Sequence, residues 1–141
     1  MINSVGQRGK YAEGLVKAYL KKLESISFTH YRFPDARAGS FTVTPCDFAI
    51  LDYGKLTMLE VKQVEHSFRL PYANYSKDQC ARMRNWESAG ANAQVLIYFT
   101  PEKLWRYESV GFFLNREEGK GSWDLKELEL ITLDRAFKEI L

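Results

Sequence analysis

The sequence predicts an α/β fold in which helices flank a mixed central β-sheet. Three observations carry that expectation. Residues 8–24 repeat apolar side chains at helical spacing. Two apolar runs, 46–51 and 56–62, flank Asp52-Tyr53-Gly54-Lys55 as a hairpin would. A capped helix starting at Ser76 leads into the apolar run 94–99. The chain has 141 residues, the size of one domain, so 1–141 is expected to be a single unit. At 45% hydrophobic and 27% charged it is too apolar for a disordered chain. A stretch of about 18 apolar residues is absent, so a transmembrane helix is not expected. Residues 1–10 are polar and lack the apolar core of a secretory signal. Two cysteines, Cys46 and Cys80, make no disulfide framework and no zinc spacing, and a reducing cytoplasm is the expected compartment.

The elements follow in order. In 8–24, Tyr11, Leu15, Val16, Tyr19, Leu20 and Leu23 recur every three or four residues, an amphipathic helix. Residues 26–33 read as a short strand and 34–40, rich in Pro, Asp, Gly and Ser, as a loop. The hairpin turn centres on Tyr53-Gly54. Residues 66–75 read as irregular or extended. Ser76-Lys77-Asp78-Gln79 fits a capping box that opens a helix to about Ser88, with Gly90 just past its end. The run 94–99 is a buried strand stopped before Pro101, and 104–107 a further short strand. Thr132 is expected to cap a last helix over 133–141; between these the pattern is weak.

The net charge of +2 is unevenly spread. Residues 1–40 hold seven Lys or Arg against three Asp or Glu, 61–90 five against three, and 91–141 seven against nine. That basic excess in the first half and the middle suits a polyanionic partner without identifying one.

The hairpin supplies the chemistry. If Asp52 pairs with Lys55, then 51 faces 56, 49 faces 58, and Asp47 faces Glu60. Opposed carboxylates about 4.5–5.5 Å apart at Cβ repel, so the pair is costly unless a cation lies between them. Hard oxygen ligands suit a divalent metal. Lys62, two residues beyond Glu60, shares its face. An exposed hairpin end with scattered charges is the plainer alternative, but Phe48, Ala49, Ile50, Met58, Leu59 and Val61 make both strands apolar on both faces. Glu13 falls on the helical stripe of Val16, Leu20 and Leu23. It reads either as a third acid of this group or as a charge favoured near a helix N-terminus. Gly14, costly inside a helix, suggests the close approach of another backbone.

Glu13, Asp47 and Glu60-Val61-Lys62 together resemble the PD-(D/E)XK nuclease superfamily, whose fold is a mixed sheet flanked by helices, the restriction-endonuclease-like core. Leu59-Glu60-Val61-Lys62 matches the (D/E)-X-K half; the proline of Thr44-Pro45-Cys46-Asp47 stands two residues before the aspartate rather than one. Ser67-Phe68-Arg69-Leu70 and Asp78-Gln79 resemble RecU-type Holliday-junction resolvases and their phage relatives, with Arg69 in place of a proline and Asp78 in place of a histidine. The start Arg8-Gly9-Lys10 ahead of Glu13 is similar to that of archaeal Hjc-type resolvases. The resemblance spans about residues 6–115.

The resemblance implies a metal-dependent, structure-specific endodeoxyribonuclease that resolves four-way junctions and leaves 5′-phosphates. Asp47, Glu60 and the Val61 carbonyl would bind Mg²⁺, or Mn²⁺ in its place, with Glu13 completing the site or holding a bound water. Lys62 would act in the transition state and Gln79 behind it. Arg8, Lys10, Arg32, Arg37, Ser67 and Arg69 are candidate DNA contacts, Arg32 and Arg37 because they bracket the loop before Asp47. The implied partners are branched double-stranded DNA and a second copy of the chain, in a bacterial or phage-infected cytoplasm, with no membrane. A repair nuclease acting on flaps, nicks or ends, and a non-catalytic DNA-binding module, are the alternatives. His30 and His66 lack metal-ligand spacing. Trp86, Trp105 and Trp123 are expected in the core, and Arg82 and Arg84 on a solvated helix face. Cys46 and Cys80 are expected to be buried as small hydrophobes, Cys46 on the face away from Asp47.

Overall fold

The computed structural model describes residues 5–34 and 43–141, with side chains from Lys10 onward. Helix α1 (Val5–Leu23) leads into strand β1 (Phe28–Arg32). The hairpin follows as β2 (Phe48–Asp52) and β3 (Lys55–Val64). A short β4 (Arg69–Pro71), a 3-10 turn (Tyr72–Asn74) and helix α2 (Lys77–Ser88) connect to β5 (Asn92–Phe99) and β6 (Leu104–Ser109). A second 3-10 turn (Val110–Leu114), β7 (Ser122–Asp124) and α3 (Leu133–Ile140) complete the chain. The main sheet runs β1-β2-β3-β5-β6, and β4 pairs with β7 in a separate ribbon. Among the described residues only the β3–β5 pairing is parallel; the other strand neighbours are antiparallel. The expected mixed sheet flanked by helices is the observed one.

The hairpin has the expected register. Asp52 pairs with Lys55 and Phe48 with Leu59. Its two turn residues both have positive φ, 48° at Tyr53 and 81° at Gly54, the type I′ geometry whose twist matches a two-residue hairpin. The α2 capping box is complete: the Ser76 hydroxyl accepts from the Gln79 N–H, and the Gln79 side chain accepts from the Ser76 N–H. Gly90 ends that helix at φ 115°, and Thr132 caps α3 through the Arg135 N–H.

Alternation along β3 and β5 sorts two cores, one on each face of the sheet. Leu59 and Val61 of β3 and Leu96 and Tyr98 of β5 pack with Val16 and Leu20 of α1 and Phe137 and Ile140 of α3. Met58 and Val64 of β3 and Val95, Ile97 and Phe99 of β5 pack with Cys80 and Met83 of α2, Phe113 and Trp123. The same alternation places Glu60 and Lys62 on the α2 face.

Several expectations are corrected. Trp105 and Trp123 are buried, but Trp86 is 42% exposed, on the outer side of α2. Cys46 is buried as a small hydrophobe, in the core on the α2 face of the sheet. Burial, then the charge of Glu60, pushes its thiol up to about 12, so it is an inert packing group. The loop expected over 34–40 lies almost wholly outside the described residues. Gly14 faces solvent, and a Cβ built there meets nothing within 4 Å, so no close backbone explains it. Gly14→Ala is therefore expected to stabilise the protein by about 0.5–1 kcal/mol, since it removes only the entropic cost of helical glycine. A thermal melt should rise by roughly 2–5 °C; a fall would show that Gly14 has a role in the folded state.

Candidate functional site

The acids converge through three different elements. Glu60 is set by the pleat of β3 and Glu13 by the inner stripe of α1. Asp47 sits just before β2, held by its own backbone: its N–H donates to the Leu59 carbonyl at 3.2 Å and its carbonyl accepts from the Phe33 N–H at 2.8 Å. The Asp47 carboxylate folds onto β3, where Oδ2 accepts from the Val61 N–H at 2.8 Å. Asp47 lies between the other two acids, hydrogen-bonded to Glu13 and repelled by the charges of both. Burial first, then Glu60 and Glu13, push its carboxyl up from 3.8 to about 9, against the downward pull of the Val61 N–H.

Each flanking acid has a cation. Lys62 Nζ lies 2.9 Å from Glu60 Oε2, with the two side chains 14% and 9% exposed. Arg32 Nη2 donates to Glu13 Oε2 at 2.6 Å. Glu13 is the ninth residue of α1, well beyond its first turn, so the helix-terminal reading of its charge does not hold. Arg32, a candidate DNA contact, is directed at Glu13.

Lys62 is held on two further sides. Its Nζ donates to the Asn74 carbonyl at 2.6 Å and lies 4.9 Å from the centre of the Tyr75 ring. Tyr75 is fully buried, and its hydroxyl donates to Met83 Sδ at 2.8 Å. Burial and the nearby Glu60 charge keep that phenol protonated.

These residues open onto one cavity of about 560 Å³. Lys10, Glu13, Asp47, Glu60, Val61, Lys62, Ser67, Arg69 and Gln79 all line it, as do His66, Asn74 and Pro71. The cavity thus gathers nine of the residues singled out by sequence. Gln79 reaches it while its amide oxygen serves the capping box. Arg69 is exposed at the rim, 3.6 Å from Asp124. Asp78 is an exposed acid in the first turn of α2, favourable there for the helix dipole. Arg37 lies outside the described residues, as does the side chain of Arg8. Sequence reasoning passed over Asn74 and Tyr75. Asn74 acts through its backbone carbonyl, which has no residue signature, and Tyr75 reads as an ordinary apolar residue ahead of a cap.

No family model and no curated protein matches the sequence. Among solved structures, the chain superposes on Hjc of Archaeoglobus fulgidus, a Holliday junction resolvase from an archaeal hyperthermophile. The TM-score is 0.60 at 24% identity, over 82% of this chain and 88% of that one. The chain shares the fold of Hjc. Among the described residues no helix is long and apolar enough to cross a membrane.

The donors suit a hard divalent cation: carboxylate oxygens and a peptide carbonyl, with the half-buried Asp47 crowded by two other acids. Among the described residues no group of three His, Cys, Asp or Glu is placed to hold a metal ion.

Proposed function

We propose that this chain is a Mg²⁺-dependent, structure-specific endodeoxyribonuclease of PD-(D/E)XK type that resolves four-way DNA junctions by paired phosphodiester hydrolysis. The observation that carries the reading is the convergence of Glu13, Asp47, Glu60 and Lys62, drawn from α1, the β2 entry and β3, on one open cavity. Likeness of fold to a junction resolvase supports it. Asp47, Glu60 and the Val61 carbonyl would hold the cation, and Glu13 would complete the acidic set. Mn²⁺ substitutes, having the same taste for oxygen ligands. When bound, the cation lowers the pKa of a water and offsets charge growing on the scissile phosphate. Lys62 donates from Nζ toward the attacking oxygen and the charged phosphate. Lys10, Ser67 and Arg69 line the cavity, where neighbouring phosphates would meet them, and Arg8 and Arg37 remain candidate DNA contacts from the sequence. Gln79 supports the site through its fixed amide.

The test is incubation with labelled four-way junction, flap, nicked and linear DNA in Mg²⁺ or Ca²⁺. Symmetric cutting of the junction in Mg²⁺, with binding but no cutting in Ca²⁺, is expected. Preference for flaps, nicks or ends makes the protein a repair nuclease. Binding without cleavage in either ion makes it a DNA-binding module.

Two expectations follow from this reading. Two symmetric cuts need two sites, and a domain of this size carries one, so the active form is a homodimer with two-fold symmetry. Sedimentation should give about twice 16.4 kDa; a monomer that cuts junctions symmetrically would contradict it. Glu13→Gln is expected to lower cleavage by about 10–100-fold, the usual cost of disturbing a group that supports a metal site. Arg32 then loses a charged partner while Asp47 loses a repelling one, so the melting temperature moves little. Wild-type cleavage by Glu13→Gln would reduce Glu13 to an anchor for Arg32.

A further inference from the structure

We infer that Arg116 is a positioning residue: it locks the 72–75 turn so that the Asn74 carbonyl and the Tyr75 ring hold Lys62 Nζ in the cavity. The inference rests on the nuclease reading for its catalytic consequence, and on geometry alone for the positioning.

Lys62 needs such a lock. Its stem is long and flexible, and an ammonium loses several rotamers when fixed. Glu60 supplies charge but lies on the same strand as Lys62. The Asn74 carbonyl and the Tyr75 ring come from a separate segment, so the ammonium is only as well placed as that segment is. The segment has little regular structure of its own. It is one 3-10 turn between a three-residue strand and α2, and the turn closes through the Tyr75 N–H on the Tyr72 carbonyl at 3.2 Å.

Arg116 grips both ends of this turn. Its Nη1 donates to the Tyr72 carbonyl at 3.4 Å, and its Nη2 donates to the Tyr75 carbonyl. The guanidinium lies 5.2 Å from the Tyr72 ring and 4.9 Å from the Trp123 ring, and those two rings meet edge to face at 4.7 Å. Neighbouring bonds tie down the same strap: the Glu117 N–H donates to the Tyr72 hydroxyl at 2.9 Å, and the Tyr72 N–H to the Gly121 carbonyl at 2.8 Å. A planar fork that binds two carbonyls while its face meets aromatic rings is a geometry that lysine cannot copy. Arg116 thus fixes the turn from outside, while Lys62 is fixed from the cavity side.

The experiment compares Arg116→Met and Arg116→Lys with the parent protein at full length. Lysine side-chain signals are read by NMR in protein carrying ¹³C,¹⁵N-lysine, with Lys62 identified by its absence in Lys62→Ala. In the parent, the Lys62 methylene and ammonium signals should stand apart through the ring current of Tyr75. In both Arg116 variants they should move toward those of solvent-exposed lysines. The single-turnover cleavage rate should fall on the order of 10–100-fold, as expected for a misplaced catalytic group. Affinity for junction DNA in Ca²⁺ should change less than twofold. Arg116→Met combined with Lys62→Ala should cleave no more slowly than Lys62→Ala alone. Unmoved Lys62 signals in a folded variant, or an unchanged rate, would overturn the inference; Arg116→Lys keeps charge and stem should Arg116→Met not fold. Displaced Lys62 signals in a protein whose parent cuts no DNA would leave the positioning standing and refute the nuclease reading.

Discussion

Lys62→Ala is expected to cut junction DNA about 10²–10³-fold more slowly than the parent, the usual cost of removing one preorganised donor to developing charge. DNA binding in Ca²⁺ should persist, because Lys62 is turned inward to Glu60 and Asn74 rather than toward a broad phosphate surface. The variant also strips the nearest cation from a buried Glu60, and an acid left unpaired in the interior is destabilising. Rates must therefore be compared on protein shown to be folded, at a temperature well below its melt. Lys62→Arg sharpens the test. It keeps the charge, but a planar guanidinium cannot occupy the compact position between a carboxylate, a carbonyl and a ring face. A strong loss in both variants points to the placed ammonium. Wild-type cleavage by a folded Lys62→Ala would remove Lys62 from the reaction.

Much of this site was legible because its key residues lie on elements with strong local rules. A two-residue turn fixes a hairpin register, and the register alone sets Glu60 and Lys62 on one face; Asp47, one residue before β2, is brought in by its backbone bonds to Leu59 and Phe33. The Ser76–Gln79 capping box likewise fixes where α2 starts, and hence where Gln79 stands. Glu13 was placed on the right stripe, but its helix starts at Val5, earlier than periodicity from residue 8 suggested. Only the longer helix decides between its two readings. Residues 110–131 resisted because β7 spans three residues and its partner β4 three, too few to show a period of two. Their pairing is settled by contacts distant in sequence, Leu70 with Trp123 and Arg116 with the 72–75 turn. Trp86 misled because a large aromatic in a helix usually faces inward, and here α2 turns Cys80 and Met83 inward instead.

Asp47→Asn should abolish cleavage and at the same time make the metal-free protein more stable. In the folded chain the Asp47 carboxyl is raised to about 9, whereas in the unfolded chain it returns to near 3.8. Between those values the folded state holds the proton more tightly than the unfolded state does. Stability therefore falls as pH rises through that window, with the full cost reached above the folded value. Asparagine cannot ionise and still offers an oxygen to the Val61 N–H, so it keeps the bond and escapes the cost. The gain should be absent below about pH 4, and on the order of 1–2 kcal/mol near pH 7, in the range of other stabilising replacements at strained functional sites. That corresponds to a melting temperature roughly 3–8 °C higher. Millimolar Mg²⁺ should narrow the difference, since a ligand that binds only the folded parent stabilises it by mass action and finds fewer ligands in the variant. Melts of both proteins from pH 4 to 9, with and without Mg²⁺, carry the test. An Asp47→Asn protein that is less stable at every pH would mean that the acidic cluster is relaxed without a cation, and the metal assignment would fall with it.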